Sequence, residues 1–186
     1  MFKDQVNSRI EAIKALSANE STFDVEKIER LAVQVLKVFS SSSRIAFVGN
    51  GGSAAEAMHL AAEFTGRCVV NHRPLPALCL NESQSALTAI ANDFGVDEMF
   101  SRQVQAHLHP GDLLIALTTS GKSENIRRAV KSATEMGIEV VVWMGNFDND
   151  FTNVEVWRVP STSTPRIQEV HLMWGHILAE LVEIEI

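Results

Sequence analysis

Residues 44–53 have the sequence Arg44-Ile45-Ala46-Phe47-Val48-Gly49-Asn50-Gly51-Gly52-Ser53. A short apolar run that ends in glycine predicts a buried β-strand. Three glycines within four positions let the backbone turn sharply and approach a ligand closely. Ser53 then begins a helical pattern that continues to Phe64, and the free N–H groups at a helix start favour an anion. The stretch therefore predicts either an anion-binding loop or a tight strand-to-helix turn capped by serine.

Four further apolar runs, also short and bounded by turn residues, predict four more strands. They are residues 76–80, 112–117, 138–143 and 154–159. Helical periodicity covers residues 123–136 and 166–185, and two more helices precede the first strand. Mostly apolar strands that alternate with helices indicate a parallel sheet covered on both faces. We predict one α/β domain over residues 1–186, a three-layer α/β/α sandwich with a central five-stranded parallel sheet. Residues 1–43 would form an N-terminal helical arm and residues 44–186 the α/β core.

Length and composition are those of one ordinary globular domain. The chain has 186 residues, of which 46% are hydrophobic and 21% charged, and this excludes a disordered protein. A net charge of −7 argues against binding to nucleic acid or to an anionic membrane. The early charges at Lys3 and Asp4 argue against a signal peptide. We therefore expect a cytoplasmic protein with no nucleic-acid or membrane partner, and reduced thiols at Cys68 and Cys79.

A second loop, rich in hydroxyl groups, follows the third predicted strand. It has the sequence Thr118-Thr119-Ser120-Gly121-Lys122-Ser123 and leads into a predicted helix. Hydroxyl groups and main-chain amides at a helix start can hold a phosphate monoester. Alternatively, the hydroxyl groups only cap the helix. Ligands of such sheets bind at the carboxyl ends of the strands. Because both loops lie at such ends, together they favour a small phosphorylated ligand.

Two predicted helices carry polar side chains suited to chemistry. His59 and Glu63 are four residues apart, which places them on one helix face. They could be metal ligands, an acid/base pair or a routine polar pair. On the last helix, Gln168 and His176 lie on one side with Cα atoms about 12 Å apart, so their side chains only just reach a common point. We expect His171 in the core. The remaining histidines are expected in solvent: His72, His107 and His109.

Five motifs, in the right order along the chain, resemble the phosphoheptose isomerases, which are sugar-isomerase (SIS) domain proteins. They are residues 48–53, 58–67, 91–95 (Ala91-Asn92-Asp93-Phe94-Gly95), 119–123 and 166–171. The resemblance spans almost the whole chain. It implies an aldose–ketose isomerase that converts sedoheptulose 7-phosphate to D-glycero-D-manno-heptose 7-phosphate through an enediol intermediate. This reaction is the first step of nucleotide-activated heptose biosynthesis.

The resemblance also implies roles for individual residues. Glu63 and His176 match the catalytic acid/base pair. The zinc ligands, for one ion per subunit, would be His59, Glu63, Gln168 and His176. The substrate-binding residues would be Asn50, Gly51, Gly52, Ser53, Glu63, Asn92, Asp93, Thr118, Thr119, Ser120, Ser123 and Gln168. The family implies a homotetramer with active sites at subunit interfaces.

A different class of protein remains as the alternative. Some SIS proteins are non-catalytic adaptors or sugar-phosphate sensors, and residues 87–93 are also similar to one that associates with the bacterial replication initiator. Such adaptors are expected to lack the acid/base pair. Because Glu63 and His176 are both in place, we favour the enzyme.

Overall fold

The structure, a computed structural model, describes residues 2–186. These residues form seven α-helices and five β-strands. The helices are α1 (Phe2–Ser17), α2 (Val25–Ser40), α3 (Gly52–Thr65), α4 (Gln84–Phe94), α5 (Ser101–His107), α6 (Glu124–Glu135) and α7 (Thr164–Ile184). The strands are β1 (Ile45–Gly49), β2 (Ala77–Cys79), β3 (Leu113–Leu117), β4 (Glu139–Met144) and β5 (Glu155–Arg158). All five predicted strands are confirmed.

The five strands are parallel and form one sheet in the order β2-β1-β3-β4-β5. β1 and β3 are neighbours, with Gly49 opposite Leu117. The chain leaves β1 through α3 towards β2, on one side, and leaves β3 through α6 towards β4, on the other. Open α/β sheets bind their ligands in the crevice where two connections diverge in this way. The two loops singled out in the sequence flank that crevice.

Strand side chains alternate between two hydrophobic cores. Phe47 and Trp143 pack with α2, α3 and α7 on one face of the sheet. Val48 and Val142 pack with α4, α5 and α6 on the other face. Each such side chain stabilises the fold by about 1.5–3 kcal/mol relative to an exposed position. The predicted three-layer sandwich is confirmed.

Two helices, α4 and α5, were not predicted from the sequence. Leu87 has the only buried apolar side chain among the described residues of α4, so the helix shows little amphipathic pattern. Its start did carry a signal, because the Ser83 hydroxyl accepts a hydrogen bond from the N–H of Ala86. α5 has seven residues and is too short for its periodicity to stand out. Within residues 2–186, none of the helices has both the length and the apolar character needed to span a bilayer.

Candidate active site

The glycine loop, residues 49–53, connects β1 to α3. Gly51 has φ +57°, a left-handed conformation that glycine adopts without strain. Gly52 is the first residue of α3, and a Cβ added there would overlap the Gln168 Nε2 atom of α7. The Gln168 amide also lies 3.4 Å from Ser53 Oγ, to which it donates a hydrogen bond. The first turn of α3 is therefore in direct contact with α7.

The end of β1 is held from the β2 side by Asn81. The Asn81 amide donates to the carbonyl oxygen of Gly49 at 2.9 Å, and its oxygen accepts from the N–H of Gly49 at 3.2 Å. Both main-chain groups of Gly49 are thus paired, as they would be by another strand. Asn81 therefore fixes the main chain at Gly49, where the glycine loop begins.

The hydroxyl loop, residues 118–123, connects β3 to α6. Thr118 is buried, and its hydroxyl accepts a hydrogen bond from the N–H of Gly121 at 3.2 Å. The Ser120 hydroxyl accepts from the N–H of Lys122 at 3.2 Å. Ser123 is the N-cap residue of α6 but its side chain forms no capping hydrogen bond. The capping interpretation of this loop required the Ser123 hydroxyl to bond to the start of α6. The hydroxyl makes no such bond, so capping does not account for it.

α3 and α7 bring three potential metal ligands together. His59 Nε2 lies 2.8 Å from His176 Nε2 and 3.3 Å from Glu63 Oε1, and the three ligand atoms are all within 4.8 Å of one another. The side chain of His59 is 47% exposed and that of Glu63 is 17% exposed, so the cluster is open to solvent on one side. The prediction that His59 and Glu63 lie on one helix face is confirmed, and His176 of α7 lies beside them.

Close packing of α3 against α7 makes this convergence possible. A Cβ at Gly175 would lie 2.6 Å from Leu60 Cδ1 and 2.9 Å from Leu60 Cγ. Leu60 is fully buried and cannot move into solvent. Only glycine at position 175 therefore lets the two helices approach this closely, one residue before His176.

The residues of the cluster fit a metal ion. Two imidazole nitrogens and a carboxylate oxygen form a donor set that suits zinc. Two Nε2 atoms 2.8 Å apart need a proton or a cation between their lone pairs. Nitrogen ligands of a tetrahedral zinc ion lie about 3.3 Å apart, given bonds of about 2.0–2.1 Å. A small rotation of the two rings would therefore admit the ion.

Comparison with known proteins identifies the family. The family model of the SIS domain matches residues 4–145. The chain is 48% identical over 145 residues to the phosphoheptose isomerase of Rhodospirillum rubrum, covering 77% of each chain. It is 40% identical over 184 residues to that of Aneurinibacillus thermoaerophilus, covering 98% of this chain and 92% of the relative. The chain belongs to the phosphoheptose isomerase family of SIS-domain proteins.

The phosphoheptose isomerase fold extends over the whole described chain. A solved structure of the phosphoheptose isomerase from Neisseria gonorrhoeae matches with a TM-score of 0.88 and 32% identity, covering 99% of this chain and 100% of that chain. The relatives are isomerases by name and align over nearly their full lengths. The protein is therefore an isomerase, and the adaptor alternative is not favoured.

Among the residues that phosphoheptose isomerase motifs implied for the site, Gln168, Asn92 and Asp93 lie apart from the cluster of His59, Glu63 and His176. The Gln168 amide contacts the first turn of α3, about 10 Å along the helix from His59. Asn92 and Asp93 lie exposed at the end of α4, where the Asn92 amide donates to Asp93 Oδ1 at 2.7 Å. Within residues 2–186, no hydrogen bond links Asn92 or Asp93 to either loop. Their roles stay predictions.

Sequence analysis did not single out Glu56, although it lies beside the predicted site residues on α3. Its side chain is buried, with 6% of the residue exposed. Burial raises the pKa of Glu56 to about 7, and the nearby Ser53 hydroxyl offsets part of that effect. Glu56 lies three residues after Ser53 and three before His59. This helical spacing could have indicated that Glu56 lies on the same face of α3 as those two residues. Glu56 thus carries a proton over much of the acid range.

Of the predictions made for the other histidines, one was wrong. His171 is fully buried and stacks on Trp174, and burial lowers its pKa to about 3, as suits a core histidine. His107 and His109 are exposed, as predicted. The prediction for His72 was wrong, because its side chain is only 2% exposed and its Nε2 lies 3.7 Å from a carboxylate oxygen of Glu183.

Glu183 also anchors the loop that carries His72. Its carboxylate accepts hydrogen bonds from the main-chain N–H groups of Val69 and Val70, at 3.0 and 2.8 Å. Cys68 and Cys79 are both unpaired. Burial raises the pKa of each thiol to about 11, so both remain protonated and unreactive near neutral pH.

Proposed function

We propose that the protein converts sedoheptulose 7-phosphate to D-glycero-D-manno-heptose 7-phosphate. The observation that supports this most strongly is the meeting of Glu63 and His176, from two different helices, in one cluster open to solvent. A carboxylate and an imidazole are the groups that an enediol mechanism needs. The names of the relatives point to the same substrate.

In the proposed reaction, Glu63 and His176 move protons between neighbouring atoms of the sugar. The Glu63 carboxylate removes a proton from C1 of the ketose, and His176 gives a proton to the carbonyl oxygen at C2, which forms the enediol. His176 then takes the proton from the oxygen at C1, while Glu63 returns its proton to C2. The net change moves one hydrogen from C1 to C2 and one from oxygen to oxygen. Each group is expected to contribute about 10²–10⁴-fold in rate.

We propose one zinc ion per subunit, held by His59, Glu63, His176 and Gln168. When bound, zinc polarises a carbonyl and stabilises negative charge on its oxygen. Glu63 would then have two tasks. Its Oε1 atom is the one that faces His59, at 3.3 Å, and this leaves Oε2 as the basic atom. His176 would likewise have two tasks, because its Nε2 atom faces His59 at 2.8 Å and would hold the ion, which leaves Nδ1 as the atom that carries the proton. In its observed position beside Ser53, Gln168 would bind the substrate at the glycine loop, and it would complete the donor set only after its side chain rotates towards His176.

The two loops at the switch point would bind the phosphate and the sugar hydroxyls. His59 follows Gly52 by seven residues, which places it about 10 Å along α3 from the glycine loop. An extended seven-carbon sugar phosphate is of comparable length. The residues proposed to bind the substrate are Asn50, Gly51, Gly52, Ser53, Glu63, Asn92, Asp93, Thr118, Thr119, Ser120, Ser123 and Gln168.

We propose a homotetramer with active sites at subunit interfaces. Asn92 and Asp93 make no hydrogen bond to the loops of their own chain and are exposed, so they are available to a neighbouring site. In the N-terminal helical arm, residues 1–43, exposed apolar side chains recur every four residues on α1, as a subunit interface requires: Phe2, Val6 and Ile10. The cytoplasm is the proposed compartment, because a charged sugar phosphate does not cross a bilayer unaided.

Incubation of the zinc-loaded protein with sedoheptulose 7-phosphate tests the proposed function. We expect a new aldose phosphate to form, and to form more slowly from a six-carbon ketose phosphate such as fructose 6-phosphate. An adaptor or sensor would bind the sugar phosphate without producing any aldose. Binding without turnover in the zinc-loaded protein would therefore reject the enzyme.

A further inference from the structure

Asn50 and Asn125 form a reciprocal pair of amide hydrogen bonds across the switch point. Asn50 Nδ2 donates to Asn125 Oδ1 at 2.8 Å, and Asn125 Nδ2 donates to Asn50 Oδ1 at 3.1 Å. Asn125 lies in the first turn of α6 and is 7% exposed, whereas Asn50 belongs to the glycine loop. The pair therefore links the glycine loop to the helix that follows the hydroxyl loop.

The orientation of both amides is fixed by the main chain. Asn125 Oδ1 also accepts a hydrogen bond from the N–H of Ile126 at 2.9 Å, and an N–H can only donate. The oxygen end of Asn125 must therefore be the end that faces this N–H. A flipped Asn50 would place oxygen against oxygen and nitrogen against nitrogen, which would break both bonds of the pair. The Asn50 side chain thus has one orientation.

We propose that Asn125 is a positioning residue that holds the glycine loop in register with the hydroxyl loop. The inference rests on the proposed function, in which one loop binds the phosphate end of the substrate and the other begins the helix that carries Glu63. Asn125 itself contacts no substrate. It acts through Asn50, while Asn81 holds the base of the same loop at Gly49. Loss of the pair would therefore loosen the tip of the loop and leave the strand in place.

The expected effect is a loss of turnover without loss of the fold. A misplacement of reacting groups by about 1 Å can cost about 10²-fold in rate. We expect Asn125→Ala to lower kcat by about 10–100-fold, with a smaller change in KM. Asn125→Asp should separate positioning from helix stability. It keeps the acceptor oxygen for Ile126 and for Asn50 Nδ2, and it places a negative charge at a helix start, where the charge is favourable. It replaces the donor to Asn50 Oδ1 with a carboxylate oxygen, and the two facing oxygens repel each other.

A four-protein cycle tests the proposal: wild type, Asn50→Ala, Asn125→Ala and the double variant. If Asn125 acts through Asn50, its replacement should cost about 10–100-fold in the wild type and less than about twofold in the Asn50→Ala background. The matched control is Glu124→Gln. Glu124 is the exposed neighbour of Asn125 on α6 and pairs with Arg128, so the control should keep wild-type kinetics.

Two results would overturn the proposal: an equal loss from Asn125→Ala in both backgrounds, or wild-type kcat in Asn125→Asp. If the wild type forms no aldose at all, the proposed function fails separately. The pair is then judged by the calorimetric Kd for sedoheptulose 7-phosphate in the same four proteins. If the double variant loses affinity by the product of the two single losses, the inference is overturned. If the double variant loses no more than the weaker single variant, the inference is supported.

Discussion

Alanine at position 52 is predicted to displace Gln168 while leaving the fold intact. A Cβ on Gly52 would overlap Gln168 Nε2 and lie 3.0 Å from both Cδ and Oε1 of that side chain. Ordinary contacts between heavy atoms are about 3.5–4.0 Å, so Cδ and Oε1 must retreat by about 0.5–1 Å and the closer Nε2 by about 1–2 Å. The end of a glutamine side chain can do this by rotation. Since alanine is favoured over glycine in a helix by up to about 1 kcal/mol, the melting temperature should not fall.

The loss should appear in catalysis and should depend on Gln168. A displacement of this size predicts a decrease of about 10–100-fold in kcat/KM for aldose formation. Gln168→Ala alone should reduce activity, and adding Gly52→Ala to it should change little further. Wild-type kinetics for Gly52→Ala, or an equal loss in the Gln168→Ala background, would refute the assignment of Gln168 to the site.

Three further predictions concern the cluster and its neighbour on α3. Glu63→Gln and His176→Gln should each lose at least about 10²-fold in kcat with unchanged melting, and near-wild-type turnover in either would remove that residue from the mechanism. Chelation should abolish activity, and zinc at 100 times its Kd should stabilise the protein by about 2.7 kcal/mol. This gain should disappear in His59→Ala, and a persisting gain would place the ion elsewhere. The pKa of Glu56, about 7, is raised above its ordinary value of 4.5, so the wild type should lose stability as pH rises from 4.5 through 7. Glu56→Gln should not show this loss in denaturant titrations at pH 5 and pH 8, and a parallel loss in both proteins would contradict the burial of an ionisable group there.

The sheet could be predicted from the sequence because its strands are continuous apolar runs. β1, β3 and β4 are buried on both faces, so almost every residue in them is apolar and the runs stand out. α5 could not be predicted in the same way. It is short, and its formation depends on burial of Phe100 and Val104 against the sheet. That contact is tertiary and leaves no periodic pattern of useful length.

The site was predictable where it depends on local spacing and not where it depends on contacts across the fold. The four-residue spacing of His59 and Glu63 is visible in the sequence. His176 was assigned to the site by the family resemblance and not by its spacing, because its approach to His59 depends on the close fit of Gly175 against Leu60. Likewise, Asn50 and Asn125 are 75 residues apart.

The prediction for His72 failed for the same physical reason. Its neighbours in sequence are polar and suggested a solvated loop. Its partner in space is Glu183, near the end of α7, which draws the side chain into a buried position. A contact with a residue so far along the chain is not visible from the residues around the histidine.

Proton NMR of sedoheptulose 7-phosphate with the zinc-loaded wild type and with Glu63→Gln would test the central assignment most directly. The account predicts that aldose resonances grow with the wild type and grow at least about 10²-fold more slowly with the variant, at equal melting temperatures. Equal rates in the two proteins, or no aldose from the wild type, would contradict it.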